Sequence, residues 1–264
     1  LVADALAGEV RVFSRAGGFS HRFGRLGQGP GEFERIASLQ VVGDSIFVYD
    51  DRAMRLSRFA PSGELLGSDE LAFVQFEGSL AVLRRAVVQE DGTVVGRETQ
   101  ELSGEGEGIT RDTAHFLAVD PESRDVRVLG AVPGIWTERR EIQGRLGGRP
   151  QLLTPAPRWS MRDGAVLVAP GDAFEVRAIT ERGLTSIFRR DTMPRRVSAE
   201  DRAVARAAIL ESVPENRRAA VQVVVEGMQL PEQVPAYARV LVDPDGSIWV
   251  EHYAVPGLGG PGPA

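Results

Sequence analysis

Residues 48–63 read VYDDRAMRLSRFAPSG, and the same pattern of residue types stands 46 positions earlier, in residues 2–17, as VADALAGEVRVFSRAG. Both segments carry an aspartate, an alanine, a phenylalanine and a glycine at matching positions, with apolar residues conserved in class at two more. Apolar residues bounded by turn residues in this way predict two strands and their turns. The chain therefore contains an internal repeat. The matching pairs are Asp4/Asp50, Ala7/Ala53, Phe13/Phe59, Gly17/Gly63, Val2/Val48 and Val10/Leu56.

Hairpin turns recur along the rest of the chain. An Asp-Gly pair followed by alternating apolar residues predicts a tight antiparallel hairpin. Such pairs occur at Asp91-Gly92, Asp163-Gly164 and Asp245-Gly246, with the two residues inverted at Gly43-Asp44, and a weaker third copy of the repeat begins at Val168. Repeats of roughly 40–50 residues built from antiparallel hairpins predict the four-stranded blades of a β-propeller.

One segment, near residues 198–227, has a helical pattern instead. Ser198 is a typical N-cap, followed by acidic residues and an alanine-rich run. Pro214 interrupts the run and Gly227 follows its end. We expect a short helical insertion between blades.

Composition excludes several classes of protein. The formal net charge is −6 at pH 7, whereas a general nucleic-acid binder concentrates positive charge to displace counterions from phosphates. The sequence contains no cysteine, which excludes disulfides, thiolate catalysis and cysteine-bound zinc within it. No apolar run approaches the roughly 20 residues of a membrane-spanning helix. We expect neither a nucleic-acid partner nor a transmembrane segment.

The residues around the first repeat also resemble an NHL repeat in order and spacing. The resemblance runs from Phe23 through the glycine-rich stretch Gly27-Gln28-Gly29-Pro30-Gly31-Glu32-Phe33, the strands Ile46–Asp50 and Arg55–Phe59, and Gly63. The chain is more similar still to bacterial extracytoplasmic six-bladed propellers that carry a Gly-Pro-Gly-Glu-Phe loop.

This resemblance implies an all-β fold: a propeller of six four-stranded antiparallel blades, about five of them covered here. Residues 1–254 would form a single propeller domain truncated at both ends, and residues 255–264, rich in glycine and proline, a flexible tail. It further implies a bacterial protein in the periplasm or at the cell surface, anchored to lipid through a leader that this sequence lacks. We also expect a monomer.

Four residues fall at the same position of four predicted blades and are candidate metal ligands: Asp4, Asp50, Glu98 and His252. Propeller lactonases hold a metal in the central channel with similar ligands, and hard oxygen ligands suit Ca²⁺ or another divalent cation. No other cofactor is indicated. The alternative interpretation, which the sequence favours, is that a strand-end aspartate accepts backbone hydrogen bonds in a turn.

Candidate ligand-binding residues lie in and beside the glycine-rich loop: Arg25, Glu32 and Arg52. The loop lacks the lysine and the following helix of a phosphate-binding P-loop, so phosphate binding is not expected. Arginine pairs, including Arg189-Arg190 and Arg195-Arg196, are expected to be solvated, and each could also anchor an acidic ligand.

No catalytic residue is predicted. The sequence has no Gly-x-Ser-x-Gly elbow, and none of its three histidines forms a short-spaced metal pair. We therefore expect a non-catalytic module that binds a protein, peptide or glycan. The alternative is a metal-dependent propeller enzyme, similar to lactonases or lyases, which rests on the four-residue ring.

Overall fold

The structure is a computed structural model that describes residues 1–71, 74–77, 79–99, 107–142, 145–162, 164–243 and 245–255. The chain forms two compact units. Unit 1 comprises Leu1–Ser103 with His115–Ala131, and unit 2 comprises Gly104–Ala114 with Val132–Ala264. All sheets are antiparallel, which confirms the predicted all-β architecture.

Two antiparallel sheets open unit 1, with strands β1 (Val2–Asp4), β2 (Glu9–Phe13), β3 (Phe19–Phe23), β4 (Ile36–Val42), β5 (Ser45–Asp50), β6 (Arg55–Phe59) and β7 (Leu65–Glu70). The first sheet has the order β1-β2-β3 and the second β4-β5-β6-β7. Asp4 pairs with Glu9 across the β1–β2 turn, as Asp50 pairs with Arg55 across the β5–β6 turn. The sequence repeat is therefore a repeat of structure.

The third sheet is wider than the predicted four-stranded blade. Its strands are β8 (Val74–Phe76), β9 (Ser79–Val88), β10 (Val94–Thr99), β11 (Gly108–Val119), β12 (Val126–Ile142) and β13 (Arg145–Pro150). β11 and β12 have 12 and 17 residues, and each has residues in both units. This length lets β11 pair with β10 in unit 1 while β12 pairs with β13 in unit 2.

Unit 2 also contains a four-stranded sheet and a two-stranded sheet. The first has the strands β14 (Arg158–Arg162), β15 (Ala165–Ala169), β16 (Glu175–Thr180) and β17 (Gly183–Arg189), and the second β18 (Tyr237–Val242) and β19 (Ile248–His252). Each predicted hairpin turn joins two neighbouring strands, and Asp163 alone of those turn residues lies outside the described residues.

The predicted helical insertion is confirmed as two helices, α1 (Ala199–Ser212) and α2 (Glu215–Glu226). The Ser198 hydroxyl accepts a hydrogen bond from the Asp201 N–H at 3.0 Å, and the Asp201 carboxylate accepts one from the Ser198 N–H at 2.7 Å. This reciprocal capping box starts α1. Among the described residues, neither helix has both the length and the apolar character needed to cross a bilayer.

Aromatic side chains form the core between the first two sheets. The Phe59 ring lies 4.6 Å from Phe23 and 5.9 Å from Phe33, between ring centroids. Gly63 has φ +87°, and a Cβ on it would approach the Phe23 side chain to 2.9 Å. Both the backbone conformation and the packing therefore require glycine here, which explains its place in the repeat.

Hydrogen bonds from side chains of the second sheet, among them Tyr49 and Gln40, join it to the third. The Tyr49 hydroxyl donates a hydrogen bond to the Leu83 carbonyl at 2.7 Å. The Gln40 amide accepts from the Val88 N–H at 2.8 Å and donates to the Val88 carbonyl. Neighbouring sheets are thus tied by hydrogen bonds as well as by apolar contact.

The domain boundaries predicted from the sequence stay predictions. Val255, the first residue of the predicted tail, is only 2% exposed and packs with Leu153, Val197 and Val234. The remaining tail, residues 256–264, lies outside the described residues.

Candidate functional site

The glycine-rich loop between β3 and β4 is held by its own side chains. Glu32 accepts hydrogen bonds from Arg25 Nε at 2.7 Å and from the Gly29 N–H at 2.8 Å. The Gly29 N–H, and after it the Arg25 guanidinium, hold the pKa of Glu32 below its usual range. Arg55 donates to the carbonyls of Gln28, Gly29 and Glu32. Two predicted ligand-binding residues, Arg25 and Glu32, therefore bind each other.

Arg52, the third predicted ligand-binding residue, lies on the β5–β6 turn. Its Nε is 4.0 Å from the Glu34 carboxylate. The side chains of Arg52 and Arg25 are 70% and 79% exposed, so both guanidinium groups keep N–H donors that face water. Ligand binding by these residues stays a prediction.

Asp50, a predicted metal ligand, is fully buried and accepts hydrogen bonds from four backbone N–H groups. Its Oδ2 accepts from Glu34 at 2.6 Å and Arg35 at 3.2 Å, and its Oδ1 from Arg52 at 2.9 Å and Ala53 at 2.8 Å. These bonds join the loop before β4 to the turn after β5. The carboxylate thus has the turn-stabilising contacts of the alternative interpretation.

The other two candidates in unit 1 also have protein partners. Asp4 accepts from the Ala7 N–H at 3.1 Å and pairs with Arg11 at 3.1 Å. Glu98 is buried, and its Oε2 is 3.2 Å from His115 Nδ1. Asp4 and Asp50 occupy equivalent turns of successive sheets.

His252, the fourth candidate, is exposed at the end of β19 in unit 2, whereas the other three lie in unit 1. Within the part of the chain that the structure describes, no group of three or more histidine, aspartate or glutamate side chains is placed to hold a metal ion. The metal ring stays a prediction.

A groove of about 350 Å³ in unit 2, which we name the Arg190 groove, includes His252. The Arg190 N–H donates to the Phe174 carbonyl at 2.9 Å, which fixes residue 190 directly after β17. The His252 ring lies 5.2 Å from the Phe174 ring. Burial raises the pKa of Tyr253, so its phenol is neutral at pH 7. The lining residues are Phe174, Arg190, Thr192, Met193, Pro194, Arg195, Val234, Pro235, Ala236, His252 and Tyr253.

A buried glutamate holds the strands beneath this groove. Glu175 accepts from Arg177 Nε at 2.5 Å and from Arg189 Nε at 3.0 Å. Burial alone would raise the pKa of Glu175, but hydrogen bonds from the two arginines outweigh it and lower that pKa. We name this arrangement, one glutamate bound by two arginines, the Glu175 bracket. The same arrangement occurs in unit 1, where Glu9 binds Arg11 and Arg22.

The charges of the groove are not balanced locally. Arg189 is used by the bracket, and Arg195 forms an ion pair with Asp201 that holds the pKa of that carboxyl well below its usual range. The Arg190 guanidinium makes no ion pair or hydrogen bond with any described residue. Among the residues that the structure describes, no carboxylate lines the groove, although the chain as a whole carries −6. Arg190 therefore presents a positive charge beside the aromatic rings of Phe174 and His252.

Sequence reasoning found parts of this site and missed its assembly. It identified the arginine pairs and His252 separately, but not that Arg190 and His252 share a groove. The Glu175 bracket was detectable, because Glu9 and Arg11 stand 166 positions before Glu175 and Arg177, at the spacing of the weak third repeat.

Comparison with known proteins agrees with the geometry of the sheets. Residues 1–82 match a family model described as a 6-bladed beta-propeller. The fold is that of a β-propeller. No curated protein matches the chain.

Solved structures of similar fold are distant. A Bacteroides fragilis protein classed as exported is 14% identical, with a TM-score of 0.44 over 69% of this chain and 45% of its own. Virginiamycin B lyase from Staphylococcus aureus is 12% identical, with a TM-score of 0.36 over 71% of this chain and 65% of its own. The propeller chain thus spans less than two thirds of either protein, and similarity at this level carries no information on function.

Proposed function

We propose that this propeller is a non-catalytic binding module whose Arg190 groove takes an acidic segment of a partner protein. The observation that carries the proposal is the groove's charge: Arg190 makes no ion pair with a described residue, and no described carboxylate is among the lining residues. On a protein with a net negative charge, a positively charged surface attracts anionic partners, whereas the rest of the surface repels them.

The groove has the features that peptide recognition requires. Arg190 offers a planar guanidinium with several donors, suited to bidentate binding of a carboxylate. Phe174, Tyr253 and exposed Met193 supply apolar contact beside that charge. Such a site binds a side chain that has a carboxylate and an aliphatic stem, as glutamate does.

The second function predicted from the sequence, a metal-dependent lactonase- or lyase-like enzyme, has no specific observation in its favour. Its central residue, Asp50, already accepts four backbone hydrogen bonds. A fold shared with enzymes does not imply their chemistry.

An extracytoplasmic, monomeric protein is also part of the proposal. It is supported by the sequence resemblance to bacterial extracytoplasmic propellers. Fractionation of cells that express the complete natural protein tests the location.

Binding is tested by fluorescence anisotropy with a labelled peptide of glutamates and aspartates and a matched peptide of glutamines and asparagines. We expect the acidic peptide alone to bind, and Arg190→Gln to weaken it about tenfold, because one charge-assisted contact is lost. Arg196→Gln is the matched control, since Arg196 is exposed and does not line the groove.

Three outcomes would contradict the proposal: equal affinity for both peptides, no binding of either, or the same loss for Arg190→Gln and Arg196→Gln. A short oligogalacturonate serves as a second anionic probe. If it binds more tightly than the peptide, the partner is an acidic glycan and the assignment to a protein segment is wrong.

A further inference from the structure

A second cavity in unit 2, of about 480 Å³, differs from the Arg190 groove in its chemistry. We name it the Trp136 cavity. Trp136, Pro155 and Pro231 give it an apolar side, while amide, hydroxyl and carboxylate groups line the rest. Its volume is within the roughly 300–1,000 Å³ typical of small-molecule sites.

The indole is held in place from outside the cavity. Arg111 is not a lining residue, and its guanidinium carbon lies 5.4 Å from the Trp136 ring centroid. The same guanidinium binds both carboxylate oxygens of Asp172 at 2.8 Å and donates to the Gly134 carbonyl at 3.1 Å. These contacts fix the aromatic plane before any ligand arrives, which lowers the entropic cost of binding.

Residues 151–155 supply three of the lining residues, Gln151, Thr154 and Pro155, and are also held by hydrogen bonds. The Gln151 N–H donates to the Trp136 carbonyl and its side-chain amide donates to the Gln229 carbonyl, each at 2.8 Å. Leu153, buried in the core below, has φ +57°, a left-handed conformation that leucine rarely adopts. Such backbone strain is often found at functional sites.

The charges of the cavity exclude anions and disfavour cations. No cation lines it, and the Glu232 carboxylate makes no ion pair with a described residue, so an anion would be repelled. The Asp172 charge is balanced by Arg111. Because that guanidinium already lies against the indole, a second cation on Trp136 would meet a like charge.

We propose that the Trp136 cavity binds a short neutral saccharide, independently of the Arg190 groove. A sugar ring has an apolar C–H face that packs on an indole and hydroxyls that both donate and accept hydrogen bonds. Trp136 supplies the plane. Thr154, Gln233 and Glu232 supply neutral and anionic partners for hydroxyls, and no charge on the ligand is needed.

The proposal is tested by calorimetric titration of the full chain with cellotriose, maltotriose, xylotriose, mannotriose and chitotriose, each up to about 10 mM, which detects millimolar affinity. We expect at least one to bind and to change tryptophan fluorescence. Trp136→Ala should weaken binding at least about tenfold, and Gln233→Ala by a smaller factor. Trp249→Ala is the control, because Trp249 is 63% exposed on β19 and outside the cavity.

Trp136→Phe keeps an aromatic plane and should retain part of the affinity, which separates loss of the plane from loss of folding. Binding of none of the five saccharides, equal losses for Trp136→Ala and Trp249→Ala, or tighter binding of choline than of every saccharide would each overturn the proposal. Peptide binding to the Arg190 groove is measured in a separate titration, so either site can fail alone.

Discussion

Replacement of Asp50 by alanine is expected to destabilise the protein strongly, because one buried carboxylate serves four backbone donors. Asp50→Ala leaves the N–H groups of Glu34, Arg35, Arg52 and Ala53 without their acceptor. A hydrogen bond to a charged group contributes about 1.5–3 kcal/mol, but bonds to one acceptor are not additive and water can reach some of the freed donors.

The free energy of unfolding should therefore fall by about 3–5 kcal/mol, and Tm by roughly 10 °C for a chain of this size. Urea denaturation gives the first quantity and calorimetry the second. Asp44→Ala is the matched control: it removes the same group from an exposed β4–β5 turn and should cost no more than about 0.5 kcal/mol. If Asp50→Ala costs no more than Asp44→Ala, the carboxylate does not hold the turn.

The same variant distinguishes the turn interpretation from the metal prediction. A ligand present at 100 times its Kd stabilises the folded state by about 2.7 kcal/mol. If Ca²⁺ raises the Tm of the unsubstituted protein and Asp50→Ala removes that increase, Asp50 is a metal ligand. An unchanged Tm in Ca²⁺ and in EDTA, together with the large loss in Asp50→Ala, supports the structural role.

Two further predictions concern buried carboxylates. Because Arg195 lowers the pKa of Asp201 in the folded state, this pair stabilises the fold above the unfolded pKa of about 3.9, and that stability is lost as pH falls through the folded value. Asp201→Asn should therefore lower the free energy of unfolding at pH 7 by about 1–2 kcal/mol, through the helix cap. It should also make that free energy depend less on pH below about pH 4. Urea titrations at several pH values measure both, and an unchanged pH dependence in acid would refute this. Glu175→Gln leaves Arg177 and Arg189 without their anionic partner and should cost about 1–3 kcal/mol. An equal cost for Glu64→Gln on the exposed β6–β7 turn would show that the Glu175 contacts are unimportant.

Local signals in the sequence predicted much of the fold. Gly43, Gly92 and Gly246 have φ of +55°, +87° and +91°, conformations that glycine adopts without strain. The turn therefore follows from two or three residues without reference to the rest of the chain. Ser198 predicted the start of α1 for the same reason, since a capping box is complete within four residues.

Contacts that depend on strand register could not be predicted in the same way. Glu98 was placed in a ring by counting positions along β10, and its Oε2 lies 3.2 Å from His115 on β11. That contact depends on how β10 pairs with β11, in which Arg97 lies opposite Phe116. Counting along the chain does not show which residues a neighbouring strand brings opposite.

Register also decides which arginine of a pair is available to a ligand. Arg189 lies opposite Glu175 in the β16–β17 pairing, and Arg190 follows the end of the strand. The sequence Arg189-Arg190 shows two equal cations, and only the pairing separates the arginine that binds Glu175 from the one that makes no ion pair with a described residue.

The link between Gln40 and Val88 has a consequence for how the protein opens. The Gln40 side chain meets both the N–H and the carbonyl of Val88, as a residue of an adjacent strand would. In repeat folds, stability is close to the sum of each repeat and its contact with the next. The Val88 amide can exchange only after the Gln40 side chain releases it, so its hydrogen exchange reports the opening of the contact between the second and third sheets.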